Sequence, residues 1–267
     1  MKQFRRRGFF WYRAQAIKVS AESIPASTTG PDEGLVTVIV PVYNGERYVM
    51  EAINSIVSQS YRPIEVVVVD DGSTDTTADV TMPLSGEANP GVRIRYEKQT
   101  NSGAAAARNR GVELANGNIL AFLDADDVWA PNKLSLQILA LENNPDRDAV
   151  FGHMQQFISP ELDETTKLTL RCPTDPMPGY THCTMLIRRE AFMRVGMFET
   201  DWHLGEFVAW YLKAIENTLH STMLPDVVLR RRLHDRNQGV NKRDFQTDYV
   251  RILKASLDRR RHKARST

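Results

Sequence analysis

The chain has 267 residues, 42% hydrophobic and 25% charged, with 15 glycines and 13 prolines, ordinary globular values that exclude collagen-like, low-complexity and mostly disordered classes. Its two cysteines, Cys172 and Cys183, cannot build a disulfide framework, lack the paired spacing of a zinc site and suit a reducing compartment. The net charge of +1 conceals an asymmetry: residues 34–227 hold 15 basic against 26 acidic side chains, residues 1–33 six against three and residues 228–267 thirteen against four, so basic flanks enclose an acidic middle.

Residues 1–34 read as an appendage and linker. Arg5, Arg6 and Arg7 stand beside Phe9, Phe10, Trp11 and Tyr12, a cluster suited to weak contact with anionic lipid. No signal-peptide core comes after it, and no apolar run approaches the roughly 18 residues that span a bilayer. The expected location is therefore the cytoplasm, with peripheral contact at the inner face of the membrane. Ala21 to Gly34 is rich in Ser, Thr, Pro and Gly, as linkers are.

The fold is expected to begin at Leu35. Leu35–Val42, Ile64–Val69, Val92–Tyr96 and Ile119–Leu123 are apolar, largely β-branched runs of the kind that parallel strands buried on both faces require. Helical patterns over 46–59 and 104–115 lie between them, and this alternation predicts right-handed βαβ crossovers in an α/β doubly wound sheet. Further on, the pattern predicts a helix over 131–141, a strand over 149–158, a proline-rich loop over 159–180 and a strand over 183–187. Two more helices are expected over 189–195 and 205–216, and 244–261 forms a basic amphipathic helix.

In open α/β sheets ligands bind beyond the carboxyl ends of the strands, so the turn after each strand decides the chemistry. Pro41-Val-Tyr-Asn44 succeeds the first, Asp70-Asp-Gly-Ser-Thr-Asp75 the second, Asn101-Ser-Gly103 the third and Asp124-Ala-Asp-Asp127 the fourth. Alternation at a strand end puts Asp124 and Asp126 on one side, where a hard divalent cation relieves their repulsion and offers its remaining positions to phosphate oxygens. The bland alternative is that Asp126 or Asp127 caps the helix near Pro131. Asp71 can accept from a base imide or simply sit in a tight turn. The small residues after Asn101 admit a ligand close to the backbone, and Arg108 can meet phosphate or pair with the aspartates.

Val38–Gly45, Val69–Asp75, Asn101–Gly103 with Ala107–Asn109, and Phe122–Asp127 resemble the successive motifs of the family 2 glycosyltransferases with the GT-A fold. The resemblance covers about Leu35 to Leu141. It implies an inverting, metal-dependent sugar transfer from a nucleoside-diphosphate sugar, UDP- or dTDP-linked, to a carbohydrate, lipid-linked or peptide acceptor. It also implies that Pro41, Tyr43 and Glu46 border the nucleoside, that Asp71 binds the base and that Asn101 and Gly103 line the donor. Asp124 then reaches the ribose and metal, and Asp126 is the ligand of Mn²⁺ or Mg²⁺. Residues 35–141 become the nucleotide-sugar half, 142–240 the acceptor half and 241–267 a basic helix and tail.

The acceptor half departs from the pattern. Phe207 stands where the family's catalytic aspartate belongs, so Glu206 becomes the candidate base, since a carboxylate beside an apolar wall gains basicity. Asp201 and His203 are weaker candidates. The expected mechanism pairs Glu206 with Arg108, which stabilises the departing diphosphate. His234, after Leu229-Arg-Arg-Arg-Leu233, resembles the histidine that approaches the metal, and His182 suits either the acceptor pocket or a structural role. Phe207 also motivates a reading as a catalytically impaired nucleotide-sugar binding module. A dehydrogenase is disfavoured because no Gly-x-Gly-x-x-Gly comes after the first strand. A nucleotidyltransferase is disfavoured because no basic glycine-rich loop does, and the terminal basic run 259–265 lacks an accompanying nucleic-acid motif.

Overall fold

The computed structural model describes residues 34–202, 204–235, 237 and 247–266; the basic and aromatic cluster at the N-terminus and the candidate His203 lie outside them. Among the described residues ten strands form one sheet in the order β3-β4-β2-β1-β5-β9-β7-β10-β6, with β8 paired to β7. Its centre is β1 (Val36–Val42), β2 (Ile64–Asp70), β4 (Val92–Lys98) and β5 (Ile119–Phe122), all parallel. β1 and β2 are buried at every position, as strands covered by helices on both faces must be. The edge strand β3 (Gly86–Asn89) runs antiparallel to β4.

α1 (Val49–Val57) packs Val49, Ala52, Ile53 and Ile56 onto one face of the sheet. It starts three residues later than the periodicity predicts, after a turn in which Gly45 carbonyl accepts from both Tyr48 and Val49. α2 is Thr77–Thr81. α3 (Ala104–Leu114) lies close on the other face: a Cβ at Gly111 would fall 2.3 Å from Ile39, so no larger residue fits there. α4 (Lys133–Glu142) comes after the two-residue strand β6 (Val128–Trp129).

The second half corrects the sequence expectation in three places. The expected loop over 159–180 contains α5 (Glu164–Thr169), capped by Asp163 through Thr166 N–H, and β8 (Met177–Gly179). The expected strand 183–187 is a single 3₁₀ turn over His182–Thr184 and then β9 (Leu186–Arg188). Thr184 carbonyl accepts from Lys133 Nζ at 3.2 Å and Gln137 Nε2 at 2.8 Å, which removes it from strand pairing. Finally β10 (Ser221–Leu233) is a 13-residue strand that the sequence does not announce, since Pro225 and Arg230–Arg232 interrupt its apolar character. It runs parallel to β7 (Ala149–Ile158), with register shifts flanking Val227. α6 (Arg189–Val195) and α7 (Glu206–Glu216) build an aromatic core with β5 and β7 in which Phe122, Phe151, Phe192, Phe198, Phe207 and Trp210 meet. α8 (Thr247–Ser266) packs on α7.

Candidate active site

The loops after β1 and β2 are stitched together. Asn44 N–H donates to Ser73 Oγ at 2.9 Å, while Asn44 Oδ1 and Glu46 Oε2 accept from the backbone of Thr74 and Thr76, each at 2.9 Å. Tyr43 is left 53% exposed at this rim, whereas Pro41 is buried within β1 opposite Val69. Asp71 is almost fully buried and accepts from Gln99 Nε2 at 2.7 Å and from the N–H groups of Ser102 and Gly103, both at 2.8 Å. Its carboxylate therefore shapes the Asn101–Gly103 loop, which stays exposed. Gly72 makes this fit possible: at φ +79° a Cβ would sit 2.9 Å from Asn101 nitrogen.

β5 ends at Phe122, so Asp124–Asp127 is a turn rather than a strand end, closed by Asp127 N–H to Asp124 carbonyl at 3.1 Å. The carboxylates of Asp124, Asp126 and Asp127 still converge, with oxygens within 4.8 Å of one another. None of the three caps α4, whose N-cap is Asn132. Asp124 Oδ1 accepts from Arg108 at 2.8 Å and faces His182 Nε2 at 3.0 Å. Burial works to raise its carboxyl, but His182 and Arg108 outweigh this and hold it well below the usual range. Asp127 goes the other way: burial, with Asp126 and Asp124 beside it, pushes its carboxyl up. Asp126 Oδ2 lies 3.0 Å from His234 Nε2.

Arg108 is 4% exposed and grips two carboxylates, Asp124 at 2.8 Å and Glu206 at 2.8 Å. Burial opposes its charge, yet these two anions raise its pKa. Glu206 opens α7 immediately after Gly205, while Phe207 points into the aromatic core, stacked on Tyr211 at 5.8 Å and next to the His182 ring. Asp201 is exposed in the preceding loop.

Sequence reasoning misses the part played by three residues. His182 reaches Asp124 because the 3₁₀ turn lies beside the end of β5, with Leu186 of β9 opposite Ala121. Asp127 reads from sequence only as a helix cap. Arg232, 3% exposed, clamps the acidic turn from below: its backbone N–H donates to Asp127 at 2.8 Å and its Nε to Asp126 carbonyl at 2.9 Å. Its guanidinium lies over the rings of Tyr48 and Phe157 and pairs with Glu51. None of these roles carries a local sequence signal, since each depends on the register of β9 or β10.

The donor set suits a hard divalent cation: three converging carboxylates with an imidazole beside them. Cys183, also near Asp124 and His182, is buried, and its thiol is pushed up by burial and the aspartates.

A family model described as glycosyl transferase family 2 matches residues 37–196. An uncharacterized glycosyltransferase of Rickettsia felis is 39% identical over 84% of the chain and 38% of its own length. Another, of Rickettsia typhi, is 29% identical over 75% of the chain and 64% of its own. The Escherichia coli UDP-Glc:alpha-D-GlcNAc-diphosphoundecaprenol beta-1,3-glucosyltransferase WfgD is 34% identical over 53% of the chain and 57% of that protein. The chain thus spans less than two thirds of each of these relatives. Among solved structures, S. aureus TarS residues 1–349 with UDP-GlcNAc superposes with a TM-score of 0.60 at 22% identity, over 76% of this chain and 59% of that one. The mannosyltransferase PcManGT of Pyrobaculum calidifontis, with GDP-Man and Mn²⁺, gives 0.57 at 26% identity, over 76% and 58%. These likenesses show a GT-A-like fold.

Proposed function

The chain belongs to glycosyl transferase family 2, and from that premise we propose that it moves a sugar from a UDP- or dTDP-linked donor to an acceptor nucleophile, with inversion and with a divalent cation. The observation that carries this reading is the convergence of Asp124, Asp126 and Asp127 within 4.8 Å at the end of β5. The UDP-sugar in the name of WfgD favours uridine as the base. The diphosphoundecaprenol acceptor of WfgD favours the lipid-linked class over free carbohydrate or peptide. Residues 35–141 would form the donor half and 142–240 the acceptor half.

Asp124 and Asp126, with Asp127 and His234 beside them, would hold Mn²⁺ or Mg²⁺, which when bound neutralises a diphosphate leaving group. Tyr43, Glu46 and the Asn101–Gly103 loop would border the nucleoside and donor. Asp71 would set the height of that loop and bind the base, since its Oδ1 accepts two bonds but its Oδ2 only one, from Gly103 N–H. Glu206 would take the proton of the acceptor hydroxyl as the new bond to the anomeric carbon forms and the bond to the diphosphate oxygen breaks. Arg108 is occupied on both sides, so it would position Asp124 and Glu206 against each other rather than meet phosphate.

The binding-module reading rests on Phe207, which stacks on Tyr211 at the position where the resemblance implies a carboxylate. Donor turnover separates the two. With UDP-sugars and Mn²⁺, the wild type should release UDP, Asp126→Ala should release none above background, and Glu206→Gln should lose about 10²–10⁴-fold in rate. Tight UDP binding without any release would favour the binding module, and unchanged turnover in Glu206→Gln would remove Glu206 as the base.

A further inference from the structure

Helix α8 has two faces of opposite character. On the inner face Ile252 is 1% exposed, Ser256 Oγ donates to Glu216 Oε1 at 2.5 Å, and Arg259 Nε donates to Glu216 Oε2 at 2.6 Å. Those contacts hold the helix to the end of α7 and fix which side faces outward. On that outer side Val250, Leu253 and Leu257, spaced as one helical stripe, are 69%, 52% and 53% exposed. Lys254 and Arg261, the latter 3.7 Å from Asp258, border the stripe on one side, and Arg260, 3.7 Å from Glu216, borders it on the other. Residues 247–264 hold six lysines and arginines against two aspartates, and with Glu216, which Arg259 and Arg260 contact from the inner side, the face keeps an excess of three positive charges.

The combination selects among occupants. A nucleic acid would satisfy the cations but leave three aliphatic side chains without a role. A second copy would cover the aliphatic stripe but bring two cationic rims face to face. An anionic bilayer takes both: the side chains enter the boundary between headgroups and acyl chains, and the lysine and arginine heads meet phosphate. We propose that α8 is an interfacial helix by which the protein lies on anionic lipid.

The placement of α8 gives this docking a consequence at the site. A Cβ on Gly205 would fall 2.8 Å from Tyr249 and 3.0 Å from Ile252, so the first turn of α8 rests on the residue that precedes Glu206. Lipid contact through α8 therefore sets the height of the α7 N-terminus above the membrane. Where the acceptor is lipid-linked, as the function proposed for the site has it, this height is what its reactive hydroxyl must match. The docking itself does not depend on catalysis and is measured without it.

The test is cosedimentation of the full chain with phosphatidylglycerol-containing vesicles and with neutral phosphatidylcholine vesicles. Two variants accompany it: Val250→Ser with Leu253→Ser and Leu257→Ser, and Lys254→Glu with Arg261→Glu. Wild type should pellet with the anionic vesicles and not the neutral ones, each variant should bind at least about tenfold more weakly, and all three proteins should keep the same thermal midpoint. No vesicle binding by the wild type overturns the proposal. So does anionic binding that the stripe variant retains within twofold, which would move the contact to another part of the chain. Wild-type dimers that the stripe variant abolishes, without vesicle binding, would assign the stripe to a second copy and overturn it equally.

Discussion

Replacing Arg108 by Met tests whether a single buried cation organises the site. Its guanidinium is 4% exposed and bonds Asp124 and Glu206 at 2.8 Å each. Methionine fills much of the same volume, so the loss is mainly electrostatic. Removing one member of a buried charge cluster costs about 3–5 kcal/mol, because the remaining anions keep their desolvation without their partner. Asp124 retains His182 and is partly open to water, so about 3 kcal/mol is the working value. Urea unfolding of wild type, Arg108→Met, Glu206→Gln and the double variant reads this directly. In the double variant position 206 no longer leaves an unpaired, half-buried carboxylate, so the two changes should couple by about 1–2 kcal/mol. Costs that add within about 0.5 kcal/mol, or a loss below about 1 kcal/mol for Arg108→Met, would refute the reasoning.

Lys133 is fully buried, bonded to Gln137 and Thr184 carbonyl and placed over the Trp129 ring, and burial pushes its ammonium down to about 7. Between about pH 7 and 10 the unfolded chain carries a proton there that the native chain lacks, so stability should rise with pH across this window. Lys133→Met should flatten that part of the profile in urea titrations at several pH values; an identical slope in both proteins contradicts the assignment. Phe207→Asp places a carboxylate where the resemblance implies one, but within a cluster of Phe151, Trp210 and Tyr211. It should cost about 3–5 kcal/mol in unfolding free energy and reduce turnover. Raised turnover with unchanged stability would show that Phe207 is not a structural part of that core.

The donor half is legible because its signals are local. The β-branched runs of β1 and β2 can only be buried strands, and polar turns at their carboxyl ends collect on one edge by topology alone. Asp124 and Asp126 can be named from that edge, although they converge in a turn rather than by strand alternation. The acceptor half resists because its key contacts are long-range. Pro225 and three consecutive arginines hide β10, yet β10 carries Arg232 under the acidic turn and delivers His234 to Asp126. His182 is likewise placed by the antiparallel pairing of β9 with β5, which nothing around Cys183 announces. Arg108 is visible as a candidate, but its second partner, Glu206, lies 98 residues away.

Calorimetric titration of Mn²⁺ into the protein, with and without UDP, addresses the acidic turn most directly. Wild type should bind one ion whose affinity rises when UDP is present, and Asp124→Asn and Asp126→Asn should each weaken it by about tenfold or more. Equal binding by wild type and both variants, or an affinity indifferent to UDP, would contradict a cation held by these carboxylates against a diphosphate.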